Sequence, residues 1–337
     1  MPPAVPASGP ADDTGRSVWS RALSWVDPLV VMILSALLLG LLLPASGVVA
    51  DVLDVVRTAA IVLLFFLYGA RMATGEVWAG LRSWRLQGSM LAATYAAFPV
   101  LGLLVQLLPD TLVSPELKTG LLYLSLLPST VQSSVVFTSI ARGNVAGAIT
   151  GATISNVVGI VLTPLLVGVL MVRTSGETGG NLWGILLQLL LPFAAGQLVQ
   201  RWTGPWLRAR PHLTRVTDRS AIVLVAYTSV SEATVSGAWS HVTWVALVVL
   251  AVVCAVMLAT MLFLTWSGGG WLGLPRDDRV ALLMCGSKKS LATGLPMAAV
   301  LFAPALAASV ALPVIVFHQL QLAVCAVLAR RLAAQVE

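Results

Sequence analysis

Apolar residues fall in ten long runs separated by short polar stretches that carry most of the arginines. The runs cover Leu29 to Leu43 (closed by Pro44), Val55 to Ala73, Leu86 to Leu108, Leu117 to Ile140, Val145 to Val172, Leu182 to Val199, Ser220 to Ser236, Val242 to Trp266, Val280 to Phe302 and Ala305 to Leu328. Each is of spanning length or slightly short of it, given the roughly 20 residues that carry a helix across a hydrocarbon core about 30 Å thick. The pattern predicts an all-α integral membrane protein with ten transmembrane helices. Ahead of the runs, residues 1–24 are rich in Pro, Ala, Ser and Gly and lack an apolar core behind a basic start. That composition predicts a disordered cytoplasmic tail rather than a signal peptide, and leaves 25–337 as one ten-helix domain.

Two runs are interrupted by polar residues at mid-depth. In the ninth, Cys285-Gly286-Ser287-Lys288-Lys289-Ser290 lies well inside the segment. Helical rise places Lys288 roughly 14 Å from the Arg279 end and about 20 Å from the other. Ammonium groups at that depth are costly and face a cavity or a partner, so both lysines are candidate functional residues. In the fourth run, Leu127-Pro128-Ser129-Thr130-Val131-Gln132-Ser133-Ser134 combines a proline with five polar side chains. Pro128 removes a backbone donor and disfavours helix at Leu127, and Ser129 or Thr130 then caps a new half-helix. Runs four and nine are five apart, so they are oppositely oriented. Paired interrupted helices at matching positions of two halves point to a midplane site in an inverted repeat of five plus five helices.

Charge fixes the orientation. With the N-terminus inside, the inner stretches carry Arg16, Arg21, Arg71, Arg82, Arg85, Arg142, Arg201, Arg208, Arg210, Arg215, Arg219, Arg276, Arg279, Arg330 and Arg331, and the outer side only Arg57, Lys118 and Arg173. The positive-inside rule then puts both termini in the cytoplasm of a cell, or inner, membrane. The net charge of +6 is spread between helices rather than gathered in a patch, so nucleic acid is not an expected partner. Cys254, Cys285 and Cys325 lie in apolar runs and form no metal-ligand spacing. No nucleophile–base pair, phosphate loop or metal ligand set is present, so neither an enzyme nor a cofactor is expected. Gly147, Gly151 and Gly159 read as small-residue helix packing.

On Arg142-Gly143-Asn144-Val145-Ala146, Gly159-Ile160-Val161-Leu162-Thr163-Pro164-Leu165-Leu166, the run Lys289-Ser290-Leu291-Ala292-Thr293-Gly294-Leu295-Pro296-Met297, and His318 with Gln321, the chain resembles the sodium/bile acid symporter superfamily. Within it the resemblance is to the atypical branch that includes the seventh vertebrate member and many bacterial relatives. The resemblance implies broken, crossing helices 4 and 9. It also implies a panel of helices 1, 2, 6 and 7 against a core of helices 3–5 and 8–10. The sodium-coupled members carry a Ser-Asn pair at the fourth-helix crossover and Glu-x-x-x-Gln-Asn-Ser in the ninth. These fall here on Ser133 and Ser134, then on Met284, Lys288, Lys289 and Ser290. A thioether is a poor ligand for a hard cation and an ammonium repels it, so sodium coupling does not carry over.

The expected activity is secondary active transport of an organic anion by alternating access across the lipid bilayer, with H+ or Na+ as candidate coupling ions. The alternatives are a regulator of ion or glycan homeostasis on a transporter fold, or an intramembrane enzyme acting on a lipid-linked substrate. The expected binding residues are Lys288, Lys289, Ser287, Ser290, Ser129, Thr130, Gln132, Ser133, Ser134, Asn156, Glu232 and His318. Glu232 either lines the cavity or marks the outer end of a short helix. His318 is either a proton carrier or a hydrogen-bonded contact between helices. For the lysines, one reading makes Lys289 a tethered cation in place of sodium; the other has both lysines pair with backbone carbonyls freed by the break.

Overall fold

The computed structural model describes residues 28–72, 83–171, 182–235, 237 and 243–335, and these are helical with no strand among them. The helices are α1 (Pro28–Leu42), α2 (Val48–Arg71), α3 (Trp84–Gln106), α4 (Pro115–Leu126), α5 (Gln132–Ile140), α6 (Val145–Met171), α7 (Leu182–Arg208), α8 (Pro211–Val235), α9 (Trp244–Trp271), α10 (Arg276–Gly286), α11 (Leu291–Leu301) and α12 (Pro304–Ala334). The expected tail, residues 1–24, lies outside the described residues, as do Arg82 and Arg173. By length and apolarity, α3, α6, α9 and the Ser309–Ala334 part of α12 can each cross a membrane. The fourth and ninth apolar runs are each split in two, α4 with α5 and α10 with α11.

Polar side chains start several helices. Ser114, Asn144, Thr243 and Ser290 each accept the N–H three residues on, from Leu117, Gly147, Ala246 and Thr293. Lys118 in α4 serves the opposite kind of end, bonding the Leu108 carbonyl beyond α3 and the Asp110 carboxylate. Three helices run longer than the apolar runs suggest: α2 begins at Val48, α7 continues to Arg208 and α8 begins at Pro211. The added turns of α7 and α8 are largely polar; Arg208 at the end of α7 donates to the Arg71 carbonyl, and ion pairs join α2 to α8. Arg71 meets Asp218 at 2.8 Å, and Arg57 meets Glu232 at 3.9 Å while bonding Asp54 at 3.0 Å.

Packing divides the helices by neighbour. Helix α2 lies along α7, and α8 lies along α1 and α2. Around the split helices, α3 packs on α4 and α6, α12 on α4, and α9 on α10 and α12. The small residues of α6 fit this arrangement: Gly147 faces Leu86, Gly151 faces Met90, and Gly159 faces Tyr95 and Pro128. The closest approach is between α2 and α7. A Cβ on Gly69 would strike the Phe193 carbonyl, and one on Gly196 would strike the Phe66 carbonyl. Backbone cannot yield as a flexible side chain can. Gly196→Ala is therefore expected to destabilise the protein by about 2 kcal/mol. Gly88→Ala, at a site open to 4 Å, should instead stabilise it by about 0.5–1 kcal/mol. Thermal unfolding in detergent distinguishes the two.

Candidate functional site

The site is where the two breaks touch. Pro128 has no N–H, Leu127 is extended (φ −71°, ψ 154°), and α4 stops at Leu126. In the other break Ser290 is extended (φ −82°, ψ 111°) and caps α11. The Ser290 N–H donates to the Pro128 carbonyl at 2.8 Å, joining the two breaks backbone to backbone. Buried backbone groups far from water must find partners, and here side chains supply most of them. Ser129 Oγ donates to the Cys285 carbonyl at 2.6 Å and Ser134 Oγ to the Met284 carbonyl at 2.9 Å. Ser287 Oγ donates to Leu283 O at 2.5 Å, and Thr163 Oγ1 to Leu126 O at 2.8 Å.

The flanking long helices clamp one residue in each break. On α6, Ser155 Oγ accepts the Ser129 N–H at 3.0 Å and Asn156 Nδ2 donates to the Ser129 carbonyl at 2.8 Å. On α12, Gln321 does both for Lys289, accepting its N–H at 2.8 Å and donating to its carbonyl at 2.9 Å. Those two bonds fix the Gln321 amide orientation. Its Nε2, 2.8 Å from His318 Nδ1, can then only donate, so the ring accepts at Nδ1.

Lys289 fills the space between α3, α4 and the ninth-run break. Its Nζ donates to Thr94 O at 2.8 Å, Ser125 O at 2.8 Å and Leu127 O at 2.7 Å, with the Phe98 ring centroid at 4.2 Å. Each carbonyl is free for a stated reason. Ser129 N–H, the helical partner of Ser125, is taken by Ser155. Leu127 lies beyond the end of α4. Thr94 lies in a π-helical turn, Ala93–Ala97, where Phe98 N–H goes back to Ala93, and the next donor would be Pro99, which has none. Three acceptor-only oxygens require three donors, which only the ammonium form has. Lys288 differs: it is as buried, but its Nζ makes one bond, to Ser133 O at 3.1 Å, and stands 4.1 Å from the Phe137 ring centroid.

Among the expected residues, Lys288, Lys289, Ser287, Ser290, Ser129, Ser133, Ser134 and Asn156 meet at this crossing. Thr130 meets it through hydroxyls, 2.7 Å from Ser133 Oγ and 3.0 Å from Ser134 Oγ. Neither Ser129 nor Thr130 caps α5, whose cap position is Val131 without a side-chain bond; the Ser129 hydroxyl is spent on Cys285 across the crossing and the Thr130 hydroxyl on Ser133 and Ser134. Gln132 is exposed at the start of α5. His318 contacts Gln321, which in turn clamps Lys289. Glu232 faces Arg57 rather than the lysines, at the end of α8. At the sodium-coupled members' glutamate position, Met284 is buried among Ala141, Val280 and Cys325. Sequence reasoning passed over Thr94, Ser125 and Ser155; the one signal was Pro99 five residues after Thr94.

Described residues that are helical, several helices apolar and long enough to cross a membrane, and two split helices clasped together have the build of a transporter. The chain belongs to the SBF-like CPA transporter family, which residues 27–334 match. It is 46% identical to the "Uncharacterized protein PA2026" of Pseudomonas aeruginosa, over 93% of this chain and 95% of that one. It is 42% identical to the "Putative symporter YfeH" of Escherichia coli strain K12, over 93% and 94%. Against the "Sodium/bile acid cotransporter 7" of Mus musculus it is 27% identical over 80% of each. The family and the latter two relatives carry the names of transporters rather than enzymes.

The bonding at the crossing sets an order of sensitivity. Lys289→Met strips three buried carbonyls of their donor and is expected to cost at least about 3 kcal/mol. Lys288→Met, which frees one carbonyl, should cost about 1 kcal/mol or less. Unfolding midpoints of the two purified variants test the order, and equal losses would contradict it.

Proposed function

We propose that the protein is a secondary active transporter of an organic anion in which the Lys289 ammonium takes the place of a bound sodium ion. The observation that carries this is the ammonium seated among three carbonyl oxygens, the ligand set a hard cation would choose. In this reading the sodium-coupled members' glutamate, formally −1 with two Na⁺, is matched by neutral Met284 with one fixed ammonium. Lys288, with one carbonyl partner, is the cation left to meet the substrate. The N-termini of α5 and α11 add positive potential at the same place, which suits an anionic head group. Proton linkage would involve Lys288 and His318. Glu232, paired with Arg57, is then a fastening between α2 and α8 rather than a relay.

Ten spans in an inverted repeat of five plus five follow on this reading, with both termini cytoplasmic in the inner membrane. Recurring neighbours support it. Counting each split run as one helix, the contacts of α2 with α7, α3 with α4, α3 with α6, and α5 with α6 have counterparts five spans on. These are α8 with α1, α9 with α10, α9 with α12, and α11 with α12. The clamps by Asn156 and Gln321 recur in the same way. A panel of α1, α2, α7 and α8 would slide against a core of the remaining helices. Helix α8 packs on α11 and α12, whereas the corresponding packing of α2 on α5 and α6 is at most marginal, and Val131, Gln132 and Val136 are exposed. The conformation is thus open toward the α5 side, the cytoplasmic side in this orientation.

Reconstituted protein is expected to take up at least one labelled anion from a set spanning a bile acid and smaller organic anions. The initial rate should be unchanged when Na⁺ is replaced by choline. Lys288→Gln should lower that uptake at least tenfold, about the worth of one charged hydrogen bond, while the protein stays folded. A steep Na⁺ requirement would refute the substitution of ammonium for sodium.

A further inference from the structure

A second feature lies away from the crossing, in a groove between α9, α10 and α12 with a cavity volume of about 810 Å³. This is within the roughly 300–1,000 Å³ range of small-molecule sites. Its walls are apolar, with Phe263, Val324 and Val327 exposed along it and Leu283 of α10 among its buried lining. One end is different: Trp266, Arg331 and Gln335 stand there. Among the described residues no carboxylate lines the groove. Arg279 at the same end is committed, donating to the Trp266 carbonyl at 3.1 Å and stacking 4.2 Å over the Trp266 ring. Arg276 is committed as well, donating to the Leu332 carbonyl at 2.5 Å. Arg331 is exposed and makes no hydrogen bond or ion pair with another described residue.

We propose that this groove binds one anionic phospholipid, its acyl chains along Phe263, Val324 and Val327 and its phosphate on Arg331. An apolar trough that faces the bilayer and ends in an uncommitted guanidinium fits an amphiphile with a negative head. Basic pockets between transmembrane helices hold anionic head groups in this way, and indole rings mark the head-group level. The lipid would bear directly on the transport machinery. Leu283 lines the groove, and its carbonyl holds the Ser287 hydroxyl one position before Lys288. A seated lipid therefore braces α10 against α9 and α12 just ahead of the break.

The test is thermal unfolding of the full-length protein in detergent with added phosphatidylglycerol, phosphatidylcholine of the same chains, or free glycerol 3-phosphate. Phosphatidylglycerol at saturation is expected to raise the midpoint by about 5 °C. The other two should leave it within about 1 °C. Arg331→Gln should weaken the phosphatidylglycerol effect about tenfold in lipid concentration, and Arg331→Lys should retain most of it. Val327→Trp, which fills the trough, should remove it, whereas Arg201→Gln on α7 should leave it intact. Equal stabilisation by both lipids would overturn the proposal, as would stabilisation by glycerol 3-phosphate, which would indicate a free-anion site. An undiminished preference in both Arg331→Gln and Val327→Trp would also overturn it. So would a dimer that dissociates in Val327→Trp, which would show that a second copy fills the groove.

Discussion

Three carbonyl oxygens from two helices converge on one ammonium in the middle of the molecule, and each was set free by a different local event. A π-turn ahead of Pro99 releases Thr94, diversion of the Ser129 N–H to Ser155 releases Ser125, and the stop before Pro128 releases Leu127. At membrane depth no water is at hand to satisfy them. Lys289 thus satisfies the carbonyls freed by the end of α4 and the π-turn of α3, and those carbonyls in turn satisfy the buried ammonium. The two costs cancel through one constellation of charge-assisted hydrogen bonds.

Around that centre the structure separates what is fixed from what is able to move. The clamps by Ser155, Asn156 and Gln321 tie each break to its neighbouring long helix, and Tyr123 Oη donates to the Gly294 carbonyl at 2.7 Å to bind α4 to α11. Helices α2 and α7 form an equally firm unit, because Gly69 and Gly196 let their backbones touch, and ion pairs at both ends fasten α2 to α8. Between these units the contacts are uneven, close at α11 and sparse at α5. On the proposed reading these are the parts of alternating access: a frame, a crossing and an unequal seam between them.

Much of this was legible in the sequence because the membrane makes errors of polarity expensive. Pro128 with its polar neighbours, and two lysines at mid-depth, announce interrupted helices, and the breaks fall at Leu127–Val131 and Ser287–Ser290. What could not be read was partnership. Nothing local distinguishes Lys288 from its neighbour, yet one is saturated and the other is not, because only the tertiary fold decides which carbonyls surround each. The π-turn at Ala93–Ala97 leaves no trace beyond Pro99. Capping by Ser129 or Thr130 was a sound local reading: the Ser129 hydroxyl goes instead to the Cys285 carbonyl of the other segment, and the Thr130 hydroxyl to the Ser133 and Ser134 hydroxyls. The ends of α7 and α8 were missed because hydropathy ignores polar helical turns held by contacts such as Arg208 to the Arg71 carbonyl and Asp218 to Arg71.

The central claim is that the Lys289 ammonium occupies the position of a metal cation. The most direct measurement is the unfolding midpoint of purified protein in NaCl against choline chloride at equal ionic strength, for the native chain and for Lys289→Asn. The account predicts no difference for the native chain. The variant should be less stable and should recover part of the loss in NaCl alone, as Na⁺ enters the vacated oxygen cage. A native protein stabilised by Na⁺, or a Lys289→Asn variant indifferent to it, would contradict the account.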